Sequence, residues 1–292
     1  MNIGIVGLGL IGGSIGLKLQ KLNHKVFGVV NSDFNEIKAK ERNLANYISQ
    51  DLSILKDCSL IILALPLKDL IKPSETLINA IPKNAIVTDV GSIKEPIVRK
   101  WEKINRLFIG SHPMAGTEKK GVNAGNANLF DNSHWIITPT SETKIETIKI
   151  LSGIVNSIGC ELCQTTPEEH DQAVSLISHL PIYISSCLIE TASSEQNKAI
   201  LNLAKKISSS GFSDTSRVGG GNPNLGLDLL KYNKKNILKA LYMYQNKMQD
   251  LERLIVQDQW ERVLNQLESS RENRNDFVNQ ISKSGNPLEA NN

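Results

Sequence analysis

Ile3-Gly4-Ile5-Val6-Gly7-Leu8-Gly9-Leu10-Ile11-Gly12 opens the chain with an apolar, β-branched run that feeds directly into a glycine-rich turn. Such a run, cut off by glycine, predicts a short buried strand. The apolar residues Ile11, Ile15, Leu19 and Leu22 then follow at helical spacing. In a strand–turn–helix of this kind each glycine has its own task. Gly7 allows the tight turn, Gly9 lets backbone approach a phosphate, and Gly12 lets the helix pack closely on the strand. The helix start adds unpaired N–H groups and a positive dipole end. Residues Gly7, Leu8, Gly9, Leu10, Ile11 and Gly12 are therefore expected to seat the pyrophosphate of a nicotinamide or flavin dinucleotide.

Beyond this turn, β-rich runs alternate with helical patterns. The strand candidates are residues 3–7, 25–30, 60–65, 85–90, 107–110, 135–138 and 161–164, with helical stretches such as 33–42 and 142–158 between them. Strand–helix alternation implies crossover connections and a doubly wound, mostly parallel sheet. From Pro167 the period changes, and residues 168–190, 197–209 and 223 to about 277 carry apolar residues at helical spacing. Pro167 suits a first helical turn, with Thr165 or Thr166 as its cap and Glu168 and Glu169 favouring the positive end. The reading is a dinucleotide-binding domain over residues 1–165 and an all-helical domain over 166–292, with a frayed polar tail from about 285. Ile237, Leu241, Tyr244, Met248, Leu251 and Ile255 line one face of a long helix, which predicts a homodimer built on the helical domain.

Composition narrows the function classes. The 292 residues carry 40% hydrophobic and 22% charged side chains and a net charge of +3. This is an ordinary balance for a globular protein, with no basic excess to recommend nucleic acid. No continuous apolar run reaches the roughly 18 residues of a membrane span, and the amino terminus enters a core strand at once. A cytoplasmic protein with no membrane or nucleic-acid partner is expected. Cys160 and Cys163 make a CxxC, but no second pair or nearby histidine completes a zinc set. On a strand their thiols point to opposite faces, so no metal site is expected.

In an open parallel sheet, ligands bind beyond the carboxyl ends of the strands. Four segments fall there: Gly7–Gly12, Leu65-Pro66, Asp89-Val-Gly-Ser92 and Ser111-His112-Pro113-Met114-Ala115-Gly116. His112 is the first candidate for chemistry. The following proline holds it extended, and its imidazole can take a hydroxyl proton while the carbon beneath loses hydride. His179, in Ser178-His-Leu-Pro181, reads by itself as a hydrogen-bonded structural residue. Residues 213–223, running from Ser213 through Arg217 and three glycines to Pro223, read as a connection between helices in which Arg217 grips a carboxylate. Asp171 reads as a solvated residue of a first helical turn, and Glu118 as a residue within reach of the cleft.

Together these motifs resemble the prephenate/arogenate dehydrogenase family of tyrosine biosynthesis, and most of all its monofunctional arogenate dehydrogenase branch. The resemblance rests on residues 7–12, Asp89-Val-Gly-Ser92, Ser111-His-Pro-Met-Ala-Gly-Thr117, Glu169-His-Asp-Gln-Ala-Val174, Ile177-Ser-His-Leu-Pro181 and residues 211–223. It implies a Rossmann-type domain followed by a helical dimerisation domain. The implied reaction is oxidative decarboxylation of arogenate or prephenate, in which ring C4 gives up hydride, the ring carboxylate leaves as carbon dioxide and the ring becomes aromatic. By resemblance His112 hydrogen-bonds the C4 hydroxyl, with Ser92 tuning the same hydroxyl or the nicotinamide side. Arg217 binds a substrate carboxylate, His179 and Ser213 line the substrate pocket, and Thr117 and Glu118 stand at its mouth. Leu65 and Pro66 lie on the cofactor side.

One departure concerns the cofactor. The second strand ends in Gly28-Val29-Val30-Asn31-Ser32, without the carboxylate that holds an NAD ribose. Asn31 and Ser32 can donate to a 2′-phosphate, so NADP is favoured over NAD. Two rivals are a hydroxyacid dehydrogenase, which needs a different catalytic set, commonly a lysine on the helical domain, and a dinucleotide sensor without turnover, which needs neither a proton acceptor nor an arginine clamp.

Overall fold

Ile3, Ile5 and Val6 are buried in β1 (Asn2–Val6), which pairs in parallel with β2 (Lys25–Val29) on one side and β4 (Leu60–Leu63) on the other. The structure, a computed structural model of the chain, describes residues 1–117 and 119–283. The remaining strands are β3 (Tyr47–Ser49), β5 (Ile86–Asp89), β6 (Phe108–Pro113), β7 (His134–Thr138) and β8 (Glu161–Gln164). They form one eight-stranded sheet in the order β3-β2-β1-β4-β5-β6-β7-β8. Every residue of β4 and β5 is buried, as expected where both faces of a parallel sheet are covered. The sheet is parallel from β3 to β6. β7 then reverses against β6, and β8 runs parallel to β7.

Two strands differ from the sequence reading. β3 is a three-residue edge strand, too short to show a period of two. β6 continues past Gly110 to Pro113, because Ser111, His112 and Pro113 find partners in Ile137, Ile136 and Trp135 of β7. The polar run Ser111-His112 thus lies in the strand and not in the loop after it.

The helices that alternate with the strands are α1 (Leu10–Lys21), α2 (Asp33–Glu41), α3 (Leu67–Ile71), α4 (Glu75–Ala80), α5 (Glu95–Trp101) and α6 (Ile145–Ile158). Ile15 and Leu19 of α1 and Leu151, Ile154, Val155 and Ile158 of α6 join the core built on β1, β2 and β4, together with Phe130 and Trp135. The chain then continues as α7 (Pro167–Val174), α8 (Leu180–Ser193), α9 (Lys198–Ile207), α10 (Ser210–Ser216), α11 (Pro223–Tyr232), α12 (Lys234–Val256) and α13 (Trp260–Lys283). By contacts it divides into one compact unit of Met1–His170 with the segment from Leu264, and a second of Asp171–Val263. Two expectations change here. Residues 210–216 are helical and not an open connection, and the long apolar pattern from 223 onward breaks into three helices at Asn233 and near Asp258.

The helical run Pro167–Ser193 is long and apolar enough, by length and composition, to cross a bilayer, with a mean hydropathy of 1.4 over an 18-residue window. Serines and a histidine interrupt this run, so it holds no long stretch of consecutive apolar residues. Its polar groups His170, Asp171, Ser175, His179 and Ser185 are buried, while Leu176 and Ile177 are exposed. Asp171 therefore does not sit in a solvated turn, as its sequence position suggested.

Candidate active site

The glycine turn closes because Gly7 adopts φ +97°, and because a Cβ on Gly12 would fall 1.9 Å from the Gly7 carbonyl oxygen. At Gly9, by contrast, a Cβ would meet nothing within 4 Å. Gly9 is also the N-cap of α1, no side chain caps it, and no acidic residue occupies the first turn. An uncapped helix start beside open space fits a dinucleotide pyrophosphate. Leu8 turns its side chain into the core against Gly28, so only its backbone faces the turn. Leu65 is half-buried and Pro66 caps α3 after β4. At the end of β2 Asn31 is exposed, and its side chain accepts from Asn35 Nδ2 at 2.8 Å. The Ser32 hydroxyl accepts from the Asn35 N–H as the cap of α2. Asp33 and Glu36 are both bonded to Gln50.

Between β5 and β6 lies a fully buried ion pair, Asp89 with Lys94, both 0% exposed. The two strands pair only at Val87–Phe108 and Thr88–Ile109, and beyond that point β6 leaves β5 for β7. Side chains replace the lost ladder. The Ser111 N–H donates to Asp89 Oδ1 at 3.2 Å, and Lys94 Nζ donates to the Ser111 carbonyl at 2.6 Å. The Ser111 hydroxyl donates to the Asp89 carbonyl at 2.6 Å and receives Thr88 Oγ1 at 3.0 Å. The Gly91 N–H donates to Asp89 Oδ2 at 2.8 Å, closing the turn that carries half-buried Ser92. Burial raises the Asp89 carboxyl above its ordinary value, against the pull of Lys94 and of the N–H groups of Gly91 and Ser111.

His112 follows Ser111 and is half-buried. Its Nδ1 lies 2.9 Å from Nε2 of His170, and the two rings meet edge to face. His170 is 1% exposed and stands in the first turn of α7, whose start is fixed by a capping box. Thr166 Oγ1 accepts from the Glu169 N–H, and the Glu169 carboxylate accepts from the Thr166 N–H, each at 3.2 Å. Donation from the Thr165 hydroxyl, and from the N–H and hydroxyl of Thr166, holds the Glu169 carboxyl below its ordinary value. Sequence reasoning used the motif containing His170 without assigning that residue a role. The signal was available in the capping signature Thr166-Pro-Glu-Glu169, which fixes where His170 falls on the helix.

In the helical unit, α7 and α8 are joined by a single wide π turn, Ser175–His179, closed by the Leu180 N–H on the Ser175 carbonyl. Pro181 has no N–H to offer Ile177, and the wide turn is one way a helix absorbs that loss. His179 is 1% exposed. Its Nδ1 lies 3.2 Å from Asn233 Nδ2, which also donates to the Asp171 carbonyl at 2.9 Å. An amide NH₂ can only donate, so Nδ1 accepts and the ring proton sits on Nε2. Arg217, at the end of α10, and Ser213 within it are exposed. The glycines that follow are anchored, since the Gly219 N–H donates to Ser185 Oγ at 2.8 Å. Thr117 is exposed. Glu118 lies outside the described residues.

Comparison with known proteins finds a family model for each of two successive stretches of the chain. Residues 15–164 match the family model "Prephenate dehydrogenase, nucleotide-binding domain" and residues 166–269 the model "Prephenate dehydrogenase, dimerization domain". The crystal structure of Synechocystis arogenate dehydrogenase is 39% identical and superposes with a TM-score of 0.85, over 95% of this chain and 100% of that one. The prephenate dehydrogenase of A. aeolicus, crystallised with hydroxyphenyl propionate and NAD+, is 27% identical with a TM-score of 0.88, over 95% and 98% of the two chains. The prephenate dehydrogenase of Bacillus subtilis (strain 168) is 28% identical over 278 residues, 92% of this chain and 74% of that protein. With both halves matched in order, the chain belongs to the prephenate dehydrogenase family.

Proposed function

We propose that this chain is an NADP-dependent arogenate dehydrogenase, with prephenate as the alternative substrate and NAD as the alternative cofactor. The observation that carries the reading is the imidazole pair at the carboxyl end of β6. With Nδ1 of His112 donating to Nε2 of His170, His112 presents Nε2 as the base for a ring hydroxyl. As the proton arrives, the second imidazole steadies the imidazolium through the same bond. Ser92 tunes that hydroxyl or the nicotinamide side. Arg217 grips a substrate carboxylate by a bidentate contact, His179 and Ser213 line the pocket, and Thr117 stands at its mouth.

When bound along Gly7–Gly12, the dinucleotide supplies the hydride acceptor for ring C4. The ring carboxylate then departs as carbon dioxide with its bonding electrons left in the ring, and aromatisation makes the step irreversible. The absence of a carboxylate at Asn31 and Ser32 removes the repulsion that would reject a 2′-phosphate. Arogenate is preferred over prephenate because the identity to the Synechocystis enzyme, 39%, exceeds the 27% and 28% found for the two prephenate dehydrogenases. A homodimer is supported by the match to a dimerization domain and by exposed Leu176, Ile177, Tyr242, Met243 and Met248.

Initial rates with each substrate and each cofactor, followed by absorbance of the reduced nicotinamide, test this. The expected order places arogenate with NADP highest in kcat/KM. Turnover confined to prephenate would replace the substrate, and turnover of neither would return the chain to the class of dinucleotide sensors.

A further inference from the structure

We propose that the buried Asp89–Lys94 pair is a positioning element that sets the height and orientation of His112 relative to the Ser92 turn. This rests on the reading of His112 as the proton acceptor.

Where β6 parts from β5, Ser111 needs partners for an N–H and a carbonyl that no longer face a strand. A buried orphan of this kind is costly, and the pair answers both. Asp89 takes the N–H and Lys94 takes the carbonyl. The backbone on the amino side of His112 is therefore held from both directions. On the carboxyl side, the Met114 N–H donates to the His134 carbonyl at 2.8 Å. His112 is suspended between two fixed points.

The same two charges bracket the other candidate. Asp89 ends β5, Lys94 is the N-cap of α5, and Ser92 sits in the turn between them. Asp89 also accepts from Gly91 within that turn. One ion pair thus locks the turn bearing Ser92 to the strand bearing His112. Both charges are fully buried, so neither meets substrate, and their contribution has to pass through the groups they hold. A buried ion pair is weak evidence for stability, since apolar replacements often match or exceed it. Geometry is what this pair can supply that leucine and methionine cannot.

The test compares Lys94→Met with the double variant Asp89→Asn/Lys94→Met. The single variant leaves a buried carboxylate without its cation, and it is expected to be unstable and slow. The double variant removes both charges and is expected to recover melting temperature and cofactor affinity. Its kcat should nevertheless stay about 10²-fold below the parent, the loss typical of a displacement near 1 Å, with KM for substrate moved less than kcat. The ¹⁵N resonances of the His112 and His170 rings should shift in the double variant before any substrate is added.

If the pair only stabilised the fold, turnover would recover together with melting temperature, and that outcome overturns the proposal. Unchanged imidazole resonances in the folded double variant overturn it as well. That second readout needs no turnover, so it separates failure of this inference from failure of the functional reading, which inactivity of the parent enzyme towards both substrates would expose.

Discussion

Replacing His112 with Asn retains a side chain of similar reach but removes the base. The expected result is a fall in kcat of roughly 10²–10⁴-fold with KM for substrate little changed. Steady-state kinetics at several pH values check it, and a near-normal kcat would take His112 out of the mechanism. His112, Ser92 and the glycines could be named as candidates because each stands in a motif whose chemistry calls for that residue type. His170, Asp89 and Lys94 were not, for a physical reason. Their contacts join residues 5 to 58 positions apart, and such pairing leaves no periodic trace. Lys94 in particular looks like any lysine at the start of a helix. Only the separation of β6 from β5 explains why it is buried.

At the level of the element, α7 depends on its first turn. Thr166 satisfies the Glu169 N–H and Glu169 answers in return, so Thr166→Ala should cost about 1 kcal/mol of stability. Equilibrium denaturation in urea would show it as a lower midpoint with an unchanged slope. Because His170 follows Glu169, the same variant should also lower kcat, whereas a lower midpoint with kcat intact would mean that the cap does not steer the imidazole. The start of this helix was readable from Thr165-Thr166-Pro167 with its acidic neighbours. The π turn at Ser175–His179 was not, since nothing in the spacing of apolar residues records a single widened turn. The extension of β6 was hidden in the same way, because its partner β7 lies more than twenty residues downstream. Helix α10 was concealed by its composition, Ser-Gly-Phe-Ser-Asp-Thr-Ser, which reads as a connection by propensity.

For the molecule as a whole, the mostly parallel sheet and the change to helices near Pro167 could both be read from periodicity, since each repeats over many residues. Tertiary burial supplies what periodicity does not, including a pH dependence. Burial lifts the Cys58 thiol to about 11 and the Cys160 thiol to about 12. An unfolded thiol ionises near pH 8.5, so above that point the unfolded chain sheds protons that the folded chain keeps. Stability therefore falls as pH rises from about 9 towards these values. Urea midpoints measured between about pH 8 and 10 should decline, and Cys58→Ala with Cys160→Ala should flatten the decline. An identical slope in that variant would assign the effect to other groups.

The glycine turn also bears on how this chain can drift. The Gly7 carbonyl fills the volume that a methyl group on Gly12 would require, and the Ala64 carbonyl does the same to Gly7 at 2.3 Å. Neither position has an intermediate step available, because even alanine collides with main-chain atoms that cannot swing aside. Variation at this corner must arrive as a rebuilt loop or not at all, while Gly9, with nothing in its way, can accept a side chain sterically and would then be limited only by what has to lie against it.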